Sequence, residues 1–115
     1  MRFEFSTATK IVFGAGTLKE LEKLLPQYGT RAFVVTGSKP ERAAPLFSLL
    51  DAGKIAHATF PTNGEPSVED ARVGVVQARE VGSDLVIAFG GGSVIDTGKA
   101  IAALLTIHDS GTRVL

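Results

Sequence analysis

No cysteine occurs anywhere in the 115 residues. Disulfides, thiolate nucleophiles and cysteine-based metal sites are excluded together, in keeping with a cytoplasmic protein. Neither sign of charge is in excess, because twelve Lys and Arg balance twelve Asp and Glu for a formal net charge of zero. No basic field therefore draws the chain to nucleic acid or to an anionic membrane. Long apolar runs are missing as well; the run Leu85–Phe89 is far too short to cross a bilayer. The first residues, Glu4 among them, form no apolar stretch of the secretory kind. Histidine is scarce: His57 and His108 stand fifty-one positions apart, a lone histidine is more often structural than catalytic, and neither is assigned a role. What is present is an ordinary globular composition, 44% hydrophobic and 21% charged, in a length that suits one domain with a real core. Thirteen glycines are the one unusual count, and their placement matters.

Short β-rich runs alternate with amphipathic segments. Phe3 and Phe5, then Ile11 to Phe13, read as an N-terminal pair of short strands. Gly14-Ala15-Gly16 breaks the second, Thr17 and Glu20 make a capping box, and Leu18, Leu21, Leu24 and Leu25 stripe a first helix. Ala32 to Val35 is continuously apolar, the pattern of a strand covered on both faces. Gly37 to Pro40 turns into a second helix striped by Ala43, Leu46, Leu49 and Leu50, with Gly53 at the expected C-terminal cap. Lys54 to Phe60 reads as a weaker strand, followed by a turn-rich loop through Asn63. Ser67 and Asp70 cap a third helix striped by Val68, Ala71, Val75 and Ala78 that ends at Gly82. Leu85 to Phe89 is the most apolar strand, and Ser93 opens a fourth helix running to about Leu105, with a loose end after it. Strand, helix, strand, helix with short connections predicts an α/β domain, an open parallel sheet in three layers.

Gly90-Gly91-Gly92-Ser93 lies between the most buried strand and a helix start, where open α/β sheets bind ligands. Glycines let a phosphate approach the main chain, and the free N–H groups and dipole of the helix start favour an anion. Three glycines cost about 1 kcal/mol each in chain entropy against alanine. A tight turn needs one of them, so phosphate binding is the better reading. The two common phosphate motifs do not apply. A P-loop would need glycine at Ser93 and Ser or Thr at Ala100, and the dinucleotide fingerprint would need glycine at Ile95.

The block Gly90-Gly91-Gly92-Ser93-Val94-Ile95-Asp96-Thr97-Gly98-Lys99 resembles the GGGSxxDxxK signature of the iron-containing alcohol dehydrogenases. Phe13 to Gly16 is similar to that family's early F-G-x-G, and Ala32 to Gly37 to its V-V-T-[DG] strand end. Asn63 to Asp70 is similar to its N-P-x-x-E-D loop, with Gly-Glu inserted after the asparagine. The likeness covers about the whole chain in the family's order. It implies a Rossmann-like cofactor domain of an oxidoreductase that moves hydride between a nicotinamide dinucleotide and a small alcohol or carbonyl. It also implies a following helical domain whose aspartate and three histidines hold iron or zinc. Nothing in these 115 residues supplies that set, so they are expected to be the cofactor domain alone, inactive by themselves. Two other readings stay open, a stand-alone nucleotide-binding or assembly module and a lyase domain of the dehydroquinate synthase kind.

By the resemblance, Gly91, Gly92 and Ser93 bind the cofactor pyrophosphate, and Asp96 lies near the nicotinamide. Asp96 also reads as a partner of Ser93 in a capping box, and Lys99 reads equally as a cofactor contact or a solvated charge. By the same resemblance, many NAD-using members of the family carry aspartate at the place of Gly37. Here Gly37-Ser38-Lys39 offers no carboxylate, a hydroxyl and a cation, which favours NADP(H) over NAD(H). Asn63 reads either as a cofactor neighbour or as a turn residue. The family's habit of pairing N-terminal strands implies a homodimer through residues 2 to 13.

Overall fold

The computed structural model describes residues 10–13, 30–63, 65 and 67–110, with side chains at 30–63, 65 and 67–105. Four strands form one sheet: β1 (Lys10–Phe13), β2 (Arg31–Thr36), β3 (Ala56–Pro61) and β4 (Leu85–Phe89). Their order is β1-β4-β2-β3, and every neighbouring pair is parallel. Three α-helices accompany them among the described residues: α1 (Ala44–Ala52), α2 (Val68–Glu80) and α3 (Gly92–Ser110). This is the open parallel α/β sheet that the alternation predicts. The Phe3/Phe5 strand, the glycines at 14 and 16 and the helix through Leu18 to Leu25 lie outside the described residues.

Alternation along each strand sorts the core into two halves. Ala32 and Val34 of β2 join Leu85 and Ile87 of β4 on one face, under Ala43, Leu46 and Leu50. Phe33, Val35, Val86 and Ala88 point to the other face, under Ala71, Val75 and Ala78 of α2 and Ile101 and Leu105 of α3. β4 lies between β1 and β2 and is covered on both faces, which is why its sequence is apolar throughout. The connection from β2 runs outward to β3, and the next returns across β2 to β4. With crossovers of one hand, that reversal puts α1 and α2 on opposite faces. At the amino end of the sheet, the Asp84 carboxylate accepts the N–H groups of Thr30 and Arg31 at 3.1 and 3.0 Å, tying the start of β2 to that of β4.

Several boundaries depart from the pattern reading. The second helix does not begin as an α-helix; a 3-10 turn, Pro40–Ala43, precedes α1. Pro45 has no N–H to extend the α-type ladder backwards, so the preceding turn tightens. Val68 leaves the expected stripe and is 69% exposed at the first residue of α2, while Gly74 is buried with Ala71, Val75 and Ala78. Ser67 does cap that helix, its hydroxyl accepting the Asp70 N–H at 3.0 Å. The fourth predicted helix opens at Gly92 rather than Ser93 and continues past Leu105 to Ser110. The Gly91 carbonyl already accepts the Ile95 N–H at 3.0 Å, so glycine holds the cap position and Ser93 lies inside the first turn. No glycine or proline interrupts the chain between Lys99 and Ser110, so the helix propagates.

Gly53 ends α1 with φ −83°, and the left-handed position falls one residue later, on Lys54 at φ 58°. The Lys54 and Ile55 N–H groups donate to Asp51 and Leu50, the paired bonds of a Schellman stop. The stop of α2 is built the same way, with Gly82 at φ 68° in the equivalent place. Lys54→Gly is therefore expected to stabilise the chain by about 0.5–1 kcal/mol, the relief of left-handed strain less the entropy of the added glycine. Chemical denaturation checks it, and a lower midpoint would contradict the motif.

Candidate functional site

β2 and β4 are neighbours, yet the chain leaves them on opposite faces, into the 3-10 turn and α1 from β2 and into α3 from β4. The carboxyl ends of two such strands diverge and leave a crevice, the place where open α/β sheets take their ligands. A cleft of about 450 Å³ lies there. Thr36, Gly37, Ser38, Lys39 and Arg42 line one wall, and Phe89, Gly90, Gly91 and Val94 the other. No carboxylate is among the lining residues, and two are cationic. Thr36, at the end of β2, is tied to the chain after β3 by Thr62, whose N–H and hydroxyl both donate to the Thr36 carbonyl at 2.8 Å.

The three glycines of the turn are not equivalent. A Cβ on Gly90 would stand 2.9 Å from Val94 Cγ2, so packing demands glycine there. A Cβ on Gly91 or on Gly92 would meet nothing within 4 Å. Both are exposed at the amino end of α3, where the first N–H groups have no partner within the helix. The fold thus accounts for one glycine and leaves two bare backbone positions facing open space beside unpaired donors. That arrangement fits a phosphate group. Gly98 serves packing instead: a Cβ there would stand 2.8 Å from Ala88 Cβ, so the glycine lets α3 lie close on β4.

The cleft brings together Gly37, Ser38, Lys39 and Gly91 among the residues singled out in the sequence. Gly92 follows at the helix end, and Ser93 is half-buried with its carbonyl accepting the Thr97 hydroxyl at 3.0 Å. Asp96 lies elsewhere, on a separate apolar hollow with Val68, Ala71, Ala100 and Leu104 between α2 and α3. Lys99 is exposed one turn further along α3. The Asn63 side chain accepts the Glu65 N–H at 3.1 Å, a local turn contact, and does not line the cleft. Arg42 was not marked by any motif; its signal was only a second cation three residues after Lys39. His57 pairs with Asp51 at 2.9 Å and stacks on Phe47, away from the cleft.

A model of the iron-containing alcohol dehydrogenase family matches residues 8–113. The chain belongs to that family. It is 33% identical over 106 residues to the probable NADH-dependent butanol dehydrogenase 2 of Bacillus subtilis (strain 168), covering 88% of this chain and 27% of that relative. It is 55% identical over 111 residues to the probable alcohol dehydrogenase EutG of Escherichia coli (strain K12), covering 92% of this chain and 28% of the relative. The crystal structure of an iron-containing alcohol dehydrogenase superposes with a TM-score of 0.70 at 32% identity, over 95% of this chain and 32% of the other. The chain thus spans under a third of the length of these iron-containing alcohol dehydrogenases. Among the described residues no three His, Cys, Asp or Glu side chains cluster where a metal ion could be held, so the iron of the family's name finds no ligand set there. No helix among them is long and apolar enough to cross a membrane.

Proposed function

We propose that the cleft between β2 and β4 binds a nicotinamide dinucleotide, and that the chain is the cofactor-binding part of an oxidoreductase acting on a small alcohol or carbonyl. The dinucleotide, when bound, supplies the hydride acceptor or donor. The observation that carries the reading is the pair of bare, unhindered glycines at the start of α3, Gly91 on the wall of that cleft and Gly92 next to it in the chain. Their backbone would receive the pyrophosphate, with the Ser93 N–H adding a donor in the same turn. The adenosine ribose would fall at the end of β2, beside Gly37, Ser38 and Lys39. These 115 residues are not expected to oxidise alcohol by themselves, because they hold two histidines and no cysteine from which to build a closed metal site.

We further propose NADP(H) over NAD(H). Support comes from the lining of the cleft, where Lys39 and Arg42 stand and no carboxylate does. Coulomb attraction in a half-enclosed site favours the extra phosphate, and no carboxylate lines the cleft to accept hydrogen bonds from a free 2′-hydroxyl. Gly37 gives the test. Its backbone is not left-handed, and a Cβ there would lie at an ordinary 3.8 Å from Val94 Cγ2, so a side chain fits. Calorimetric titration is expected to give tighter NADPH than NADH binding, and Gly37→Asp is expected to reverse the order. The Bacillus relative is named for NADH. Tighter NADH binding by the unaltered chain would overturn the choice of cofactor, and binding of neither would overturn the nucleotide reading itself.

A further inference from the structure

We propose that a notch at the amino end of the sheet, away from the nucleotide cleft, binds a small carboxylate with an apolar body, its anion held by Arg31 and Ser83. The site follows from the register at the sheet edge. Arg31 pairs with Ala56 and Phe33 with Ala58, and β3 is the outer strand among the described residues. Alternation puts Arg31 on the same face as Phe33 and Val35, the face that α2 covers. Further along β3 that face is filled, because Phe60 is buried and stacks on Phe33 with ring centroids 5.6 Å apart. At its start β3 offers that face only Ala56 and Ala58, and α2 ends at Glu80. A hollow of about 190 Å³ is left there, with Ala56, Ala58 and Val81 on its lining beside Arg31 and Ser83.

A ring fits such a space, since an apolar cavity of about 150 Å³ already holds benzene. The polar groups on the lining are donors with capacity to spare. The Arg31 guanidinium gives one N–H to the Val81 carbonyl at 3.5 Å, the edge of hydrogen-bond reach, and a guanidinium carries five. No carboxylate is paired with it among the described residues. Gly82 keeps room for it, because a Cβ there would stand 3.2 Å from Arg31 Nη1. The Ser83 hydroxyl is buried with no hydrogen-bond partner. Such a group is costly, and an acceptor in the notch removes the cost as the hydroxyl turns about its one side-chain bond. A carboxylate brings two acceptor oxygens, enough for a guanidinium fork and a hydroxyl together. His57 takes no part, since Asp51 and Phe47 hold its ring. No carboxylate lies on the lining to oppose an anion. The Asp84 carboxylate does stand nearby, accepting the Arg31 N–H at 3.0 Å, and weighs against a dianion such as a phosphate monoester. A single negative charge on an apolar body is what the notch matches.

The experiment follows backbone amide signals by nuclear magnetic resonance while the full chain is titrated with benzoate, benzyl alcohol and phenyl phosphate. Benzoate is expected to shift the amides of Ala58, Val81 and Ser83 and to leave those of Gly91 and Gly92 in place. Arg31→Gln is expected to weaken benzoate by roughly tenfold or more, the range of a lost charged hydrogen bond. Arg31→Lys is expected to recover part of that loss, because it keeps the charge without the fork. Ala58→Leu fills the notch and is expected to abolish binding. Benzyl alcohol binding as tightly as benzoate would overturn the proposal, since the ring alone would then account for it. Benzoate affinity unchanged in Arg31→Gln would do the same, as would shifts that miss the notch or no shift at millimolar benzoate. Phenyl phosphate binding more tightly than benzoate would overturn the choice of a single charge. Arg31 is exposed, so Arg31→Gln is expected to keep the fold and to decide the matter even where Ala58→Leu unfolds.

Discussion

Gly98→Ala is expected to destabilise the chain by about 1–3 kcal/mol, the range for overpacking a close contact. The sign decides the matter. At an exposed position inside a helix the same change stabilises by up to about 1 kcal/mol, because alanine has the better helix propensity. At Gly98 the new Cβ would lie 2.8 Å from Ala88 Cβ. Ala88 cannot rotate that atom aside, since it is fixed to the backbone of a buried central strand. The helix would have to lift from β4, opening gaps around Ile101, Ala102 and Leu105. A chemical denaturation midpoint below that of the unaltered chain is the expected reading. A rise would mean that α3 does not lie on β4 as described. The lift would also displace the amino end of α3, so dinucleotide affinity is expected to fall together with stability.

Gly92→Val is expected to do the reverse, leaving the fold in place and removing binding. Nothing lies within 4 Å of the Cβ that would be added, and Gly92 is exposed. The folded chain therefore has room for the side chain. A phosphate seated on the bare backbone does not, and valine would hold it away from the N–H donors of the turn. Loss of two charge-assisted hydrogen bonds weakens binding by about a hundredfold or more. The check is a titration with NADPH and NADH beside a denaturation curve, and both dinucleotides are expected to be lost with the midpoint little changed. Retained affinity would show that the turn needs its glycines for something other than phosphate. Gly98→Ala and Gly92→Val together separate the packing glycine from the binding glycine within one short motif.

Much of this was legible from local pattern. The continuous apolar run of β4 and the alternating faces of β2 were readable because a strand buried on both sides must be apolar at every position. The Ser67 cap was readable because a hydroxyl three residues before an N–H is a local arrangement. The glycine turn and its anion chemistry followed from residue types at one strand-to-helix junction. Other features depended on atoms far apart in the chain. Nothing local distinguishes Gly90, which packing requires, from Gly91 and Gly92, which it does not; the difference is the position of Val94 and the emptiness beyond. Arg42 was invisible as a site residue because its place on the cleft depends on a tight turn and on a strand, β4, that is remote in sequence.

The residues named for one site divide for the same reason. Gly37, Ser38, Lys39 and Gly91 meet although the two segments are separated by α1, β3 and α2, because the sheet order sets β2 beside β4. Asp96 shares a motif with Gly91 yet faces the hollow beside α2, since a few residues along a helix turn a side chain away. Strands, helix faces and the presence of a phosphate-type turn are consequences of near-neighbour chemistry, and composition and spacing carry them. Strand order, the cleft it opens and the membership of that cleft are consequences of which distant segments pack together. Those were decided only when the chain reversed direction after β3 and returned across the sheet to β4.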